Sequence, residues 1–103
     1  MKHGCCPVEK AIKLIGGKWT ILILRDLFTG TKRFGELRKS LIGVSPKTLS
    51  GRLRYLEEEG ILLRKIYPEV PPRVEYTLTK RGKSLGVIIE SMRIWGEKNH
   101  KQQ

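Results

Sequence analysis

Histidine and cysteine are nearly missing from this chain of 103 residues, which holds two of each, His3 and His100, Cys5 and Cys6. Without a Cys-x-x-Cys or His-x-x-x-His spacing a tetrahedral zinc site has too few ligands, so no metal is expected. Adjacent cysteines cannot staple distant segments as the disulfide frameworks of small secreted domains do, and a reducing cytoplasm is the expected location. Long apolar runs are missing too. A stretch such as Ile21 to Leu24 falls far short of the roughly 20 residues that cross a bilayer. The opening Met1-Lys2-His3-Gly4-Cys5-Cys6 holds no apolar signal core, so neither a membrane span nor a secretory leader is expected. No glycine pattern follows a strand in the way a nucleotide cradle requires, and no cofactor is expected.

Acidic residues are scarce as well: 10 Asp and Glu stand against 21 Lys and Arg, a formal charge of +11. They fall mostly singly, and the one cluster, Glu57-Glu58-Glu59, reads as the solvated end of a helix. No catalytic constellation is visible, so the protein is not expected to be an enzyme. A single domain over residues 1–103 with this excess of cations expects a polyanionic partner.

Periodicity supplies the elements. Pro7 suits the first position of a short helix to about Ile15, with Val8, Ala11, Ile12 and Ile15 on one stripe. Gly16-Gly17 stops it. Lys18 to Phe28 follows as a helix apolar nearly all round, which belongs in the centre. Phe34, Leu37 and Leu41 mark a third, short helix. Ile42-Gly43-Val44 is then a tight connection, with Ser45 a good N-cap and Pro46 at the first helical position of the next helix. Leu49, Leu53 and Leu56 bury one narrow face of that helix, and Gly60 suits its left-handed end. Lys47, Thr48, Ser50, Arg52 and Arg54 point elsewhere. Two helices across a turn of about three residues, the second showing cations in its early turns, form a helix-turn-helix pattern.

Beyond Gly60 the period changes to two. Ile61 to Tyr67 and Arg73 to Leu78 read as antiparallel strands, and Pro68-Glu69-Val70-Pro71-Pro72 reads as a rigid tip. Arg64, Lys65 and Arg73 flank this hairpin, which stands as a wing behind the helix-turn-helix. Thr79 caps a last helix from about Lys80, with Leu85, Ile88, Ile89, Met92 and Trp95 in one stripe. The fold expected is mainly α with a small antiparallel β-hairpin, a winged helix-turn-helix. On the DNA face, Lys47 and Arg52 are expected to reach groove or phosphate, Thr48 and Ser50 to read base edges or fix register. Arg54 is a phosphate candidate, and Arg73 is expected to hold the flanking backbone from the wing. Gly51 inside the helix is either a neutral loss or a place where DNA comes close. A winged-helix module that meets an acidic protein is the alternative reading.

The chain resembles the HxlR family of winged-helix transcription regulators over almost its whole length. The resemblance runs from Cys6-Pro7-Val8-Glu9 through Gly16-Gly17-Lys18-Trp19, Arg33-Phe34-Gly35-Glu36-Leu37 and Ser45-Pro46-Lys47-Thr48-Leu49 to Arg52-Leu53. Tyr67 to Tyr76 (YPEVPPRVEY), Leu78-Thr79, Gly82 and Trp95-Gly96 complete it. Their order and spacing together make it specific, although Gly51 stands where such proteins often carry a larger polar residue. The resemblance implies a homodimer built from the first and last helices, with two recognition helices in successive major grooves of an imperfectly palindromic operator in double-stranded DNA. Val8, Ile12, Ile88, Met92 and Trp95 are the residues expected at that interface, since a terminal helix this apolar is more than a 103-residue monomer readily covers. In some proteins of this kind the Cys-Pro cysteine is a redox switch. Cys6 is therefore the redox-sensing candidate, at a helix N-terminus with Lys2 and Lys10 nearby, a setting that favours thiolate. As a bland alternative, both cysteines are small semi-buried hydrophobes.

Overall fold

A computed structural model describes residues 6–99 of the chain. In order come α1 (Pro7–Ile15), α2 (Lys18–Leu27), β1 (Lys32–Arg33), α3 (Phe34–Ser40) and α4 (Pro46–Glu58). Then follow β2 (Leu62–Tyr67), β3 (Arg73–Leu78), α5 (Lys80–Lys83) and α6 (Gly86–Asn99). The mainly helical fold with a small antiparallel sheet is thus a winged helix-turn-helix. None of the described helices is long and apolar enough to cross a membrane.

Local chemistry sets the element ends. Pro7 opens α1, and Gly17 takes a φ of +92° between α1 and α2, a left-handed conformation that side chains resist. At α3 the Glu36 carboxylate accepts the Arg33 backbone N–H at 2.8 Å. At α4 the Ser45 hydroxyl accepts the Thr48 N–H at 3.0 Å, with Pro46 at the first helical position. Gly60, at φ +74°, ends the same helix. Replacing Ser45 with alanine orphans the Thr48 N–H and is expected to remove about 1 kcal/mol of stability, read as a lower urea midpoint at unchanged slope.

The core joins Ile23 and Leu24 of α2 to Leu37 and Leu41 around α3, to Leu49, Leu53 and Leu56 of α4, and to Ile61 and Leu62, all 2% exposed or less. The three leucines of α4 are the buried face that the sequence pattern marks, so the opposite face of that helix is free.

Three features depart from the sequence expectation. The wing is a three-stranded sheet in the order β1-β3-β2, because Lys32 and Arg33 pair with Tyr76 and Glu75. Two residues are too few to show a period, and this strand exists only because β3 offers them an edge. The last helix is also broken. The α5 turn is capped by the Thr79 hydroxyl, which accepts the Gly82 N–H at 3.0 Å, and the chain restarts at Gly86. Gly82 is needed for close approach, since a Cβ there would run into the Ile61 carbonyl oxygen, whereas one on Gly86 would lie 3.1 Å from the ring of Phe28, a tight contact with a surface side chain. Finally, Phe28, read as part of the central helix, lies at the surface just past the end of α2.

Candidate nucleic-acid interface

The helix-turn-helix comprises α3, the turn through Gly43 and α4. Gly43 has a φ of +93°, and the Val44 N–H donates to the Leu41 carbonyl at 3.0 Å. With Leu49, Leu53 and Leu56 turned into the core, Lys47, Ser50, Gly51, Arg52 and Arg54 are exposed and Thr48 is half-buried. The Thr48 hydroxyl accepts from Ser45 at 3.0 Å, which leaves its own proton to donate outward. A Cβ on Gly51 would meet nothing within 4 Å, so no contact inside the protomer requires glycine there. Lys47, Thr48, Gly51 and Arg52 surround a shallow hollow of about 420 Å³. None of Lys47, Arg52 and Arg54 makes an ion pair among the described residues. Their charges are available to a polyanion.

The helix is fastened from behind. The Tyr55 hydroxyl donates to the Lys13 carbonyl of α1 at 3.2 Å. The Arg81 Nε donates to the Glu59 carbonyl at the end of α4 at 3.0 Å. On the wing side, Arg64 Nε lies 3.3 Å from the Glu57 carboxylate. Glu57 is therefore part of a built junction, where the sequence suggested only a solvated end. Tyr76 lines a second hollow, between α4 and the wing, together with Arg54, Glu57 and Arg64. Burial lifts its hydroxyl above the ordinary value of 10.0, Arg64 opposes that shift and Glu57 adds to it, so at neutral pH Tyr76 remains a neutral hydrogen-bonding group.

The wing cations are differently placed from those of α4. Arg73, the residue expected to hold a flanking phosphate, donates to Glu75 at 3.1 Å, pairs with Glu69 at 3.0 Å and stacks 3.9 Å over the Tyr67 ring. Lys65 lies 5.1 Å from the centre of the same ring. The register explains the cluster, since Tyr67 sits opposite Arg73, and Lys65 opposite Glu75. Tyr67, Glu69 and Glu75 carry wing structure that the alternation of the strands alone does not assign to them. The turn of residues 68–72 between two strands of equal length was the available signal.

A sequence profile described as HxlR-like helix-turn-helix matches residues 14–103. The chain belongs to this family. The matched span omits Cys6. Among similar relatives, the uncharacterized HTH-type transcriptional regulator sll1512 of Synechocystis sp. (strain ATCC 27184 / PCC 6803 / Kazusa) is 49% identical over 87 residues, 84% of this chain. This chain spans 64% of that relative's length. YdeP of Bacillus subtilis (strain 168), another uncharacterized HTH-type regulator, is 45% identical over 93 residues, 90% of this chain and 73% of its own. Among solved structures, the redox regulator HypR in its reduced form superposes with a TM-score of 0.89 at 41% identity, covering 92% of this chain and 94% of that one. A MarR-family structure from Porphyromonas gingivalis W83 gives a TM-score of 0.91 at 39% identity, over 96% of this chain and 97% of its own.

The remaining sequence candidates lie away from the α4 face. Val8, Ile12, Met92 and Trp95 are exposed on α1 and α6, with Trp95 at 69%. Ile88 differs: it is half-buried and packs against the protomer's own core, because the first turns of α6 still lie over α2. Cys6 is the half-buried N-cap of α1, and its thiol makes no capping hydrogen bond. Cys5, Lys2, His3 and His100 lie outside the described residues.

Proposed function

We propose that this helix-turn-helix protein is a sequence-specific transcriptional regulator that binds double-stranded DNA as a homodimer, with α4 as the recognition helix. The observation that carries the reading is the face of α4, where the cations Lys47 and Arg52, which make no ion pair among the described residues, flank an open hollow at Gly51, with Arg54 exposed one turn on. A side chain there would fill the hollow; its absence lets a base edge or sugar approach the helix backbone. Thr48 and Ser50 present hydroxyls to base edges, and Arg54 reaches phosphate. Exposed apolar residues on α1 and α6 support pairing of protomers through Val8, Ile12, Met92 and Trp95. Such pairing would set the two α4 helices about one turn of DNA apart, roughly 34 Å, over an imperfect palindrome. Selection from a random duplex pool is the test: enrichment of a symmetric motif, bound with steep salt dependence, supports the reading. Binding that is indifferent to sequence, or absent, overturns it.

A thiol response is the finer part of the proposal, supported by the similarity in sequence and structure to HypR, itself named a redox regulator. Cys6 occupies the N-cap position of α1, and α1 is tied to the recognition helix through Tyr55 and the Lys13 carbonyl, so a change at Cys6 has a path to α4. Mild oxidation is expected to change duplex affinity in wild type and in Cys5→Ser, and to leave Cys6→Ser unaffected. Equal responses in wild type and Cys6→Ser would make the cysteine structural.

A further inference from the structure

In the wing, one arginine is surrounded by acceptors. Arg73 begins β3, directly after the tip of residues 68–72. Its guanidinium meets Glu69 of the tip on one nitrogen and Glu75 of its own strand on another, with the Tyr67 ring beneath. Its Nε is buried without a hydrogen-bond partner, and 27% of the side chain is exposed. Two carboxylates outweigh one guanidinium, and the half-exposed Glu69 stands on the solvent side of the pair. A phosphate approaching Arg73 would meet that carboxylate first and would have to displace it. Arg64 and the cations of α4 offer no such obstacle of two acids.

The same contacts tie the tip to its own two strands, across no other element. Glu69 lies in a tip that has no ladder partner, and a groove of about 410 Å³ separates residues 69–74 from Arg33, Phe34 and Gly35 at the start of α3. Within the tip a single backbone hydrogen bond is made, from the Glu69 N–H to the Tyr67 carbonyl at 2.8 Å, so side chains supply much of what ties it to the strands. A planar fork that bonds two carboxylates while stacking on an aromatic ring is suited to that task, and a lysine is not.

From this geometry we infer that Arg73 is a positioning residue. With Tyr67, Glu69 and Glu75 it clamps the wing tip onto the strands of the hairpin, and it does not neutralise a phosphate. The inference rests on the DNA-binding reading for its consequence and on the wing alone for its structure.

The two roles predict opposite signs. Glu75→Gln and Glu69→Gln each remove one negative charge and so raise the net charge by one. If Arg73 were a phosphate contact, freeing it would tighten binding to any duplex and steepen the salt slope by about one unit. The clamp predicts the reverse: binding to a pool-selected duplex weakens about fivefold, as for loss of a partly exposed pair, with the salt slope on a random-sequence duplex unchanged. Arg73→Lys, which keeps the charge and loses the fork, is expected to behave like Glu75→Gln. A second arm needs no DNA. Amide exchange at Glu69, whose N–H bonds the Tyr67 carbonyl, and at the strand residues Arg73 and Val74 is expected to accelerate in Glu75→Gln and Arg73→Lys, with protection in α4 unchanged as the check on folding. Tighter binding in the glutamine variants, or wild-type exchange at the tip, overturns the clamp. Should wild type bind no duplex, the DNA reading fails and the exchange arm still decides the clamp.

Discussion

Replacing Lys47 and Arg52 together by alanine is expected to weaken binding to a selected duplex about a hundredfold or more, with thermal stability unchanged. The magnitude follows from losing two contacts worth about 1 to 3 kcal/mol each where they are made to base edges. A share made to phosphate instead lowers the salt slope by about one unit per contact. Stability is spared because both side chains are exposed and neither makes an ion pair among the described residues. Duplex titrations at several salt concentrations, alongside a melting curve, separate these effects. Unchanged affinity in a folded double variant would remove the α4 face from the DNA interface.

Trp95→Asp is expected to produce monomers that bind a full site about 10² to 10⁴ times more weakly than wild type, because a tethered second module binds at high effective concentration. The physical basis is the stripe on α6. Leu85, Ile88 and Ile89 are packed on the core, while Met92 and Trp95 continue the same stripe into solvent, and α6 has no buried residue. The helix nevertheless holds its shape, since Arg93 bonds Glu90 and Glu97 one turn away on either side, a spacing that suits helix-surface pairs. An aspartate among apolar residues at a protomer interface would carry an unpaired charge out of water. Sedimentation of both proteins, with titration on full and half sites, checks the expectation. A wild-type protein that is monomeric at micromolar concentration yet binds a full site tightly would contradict it.

Where local chemistry is decisive, the residues can be read in order along the chain. Ser45-Pro46 starts α4, the spacing of Leu49, Leu53 and Leu56 orients it, and Gly60 ends it; each signal acts within a turn or two of its own position. The cationic face then follows as the complement of the buried one. The wing strands were legible for the same reason, through their period of two and the prolines between them. The sequence by itself therefore determined the helix-turn-helix, its outward face and the hairpin behind it.

Tertiary structure decided what depends on a distant partner. Lys32 and Arg33 become a strand because β3 lies beside them, and the last helix breaks where Gly82 meets the Ile61 carbonyl and Gly86 meets Phe28. Ile88 and Trp95 belong to one stripe and are equivalent in sequence, yet the body of the protomer ends between them, so one is covered and the other exposed. Arg73 shows the same limit in charge: as a residue it is a cation on a wing, and only strand register brings Tyr67, Glu69 and Glu75 around it. A side chain's charge is written in the sequence, whereas its availability depends on which acids the fold places within about 3 Å.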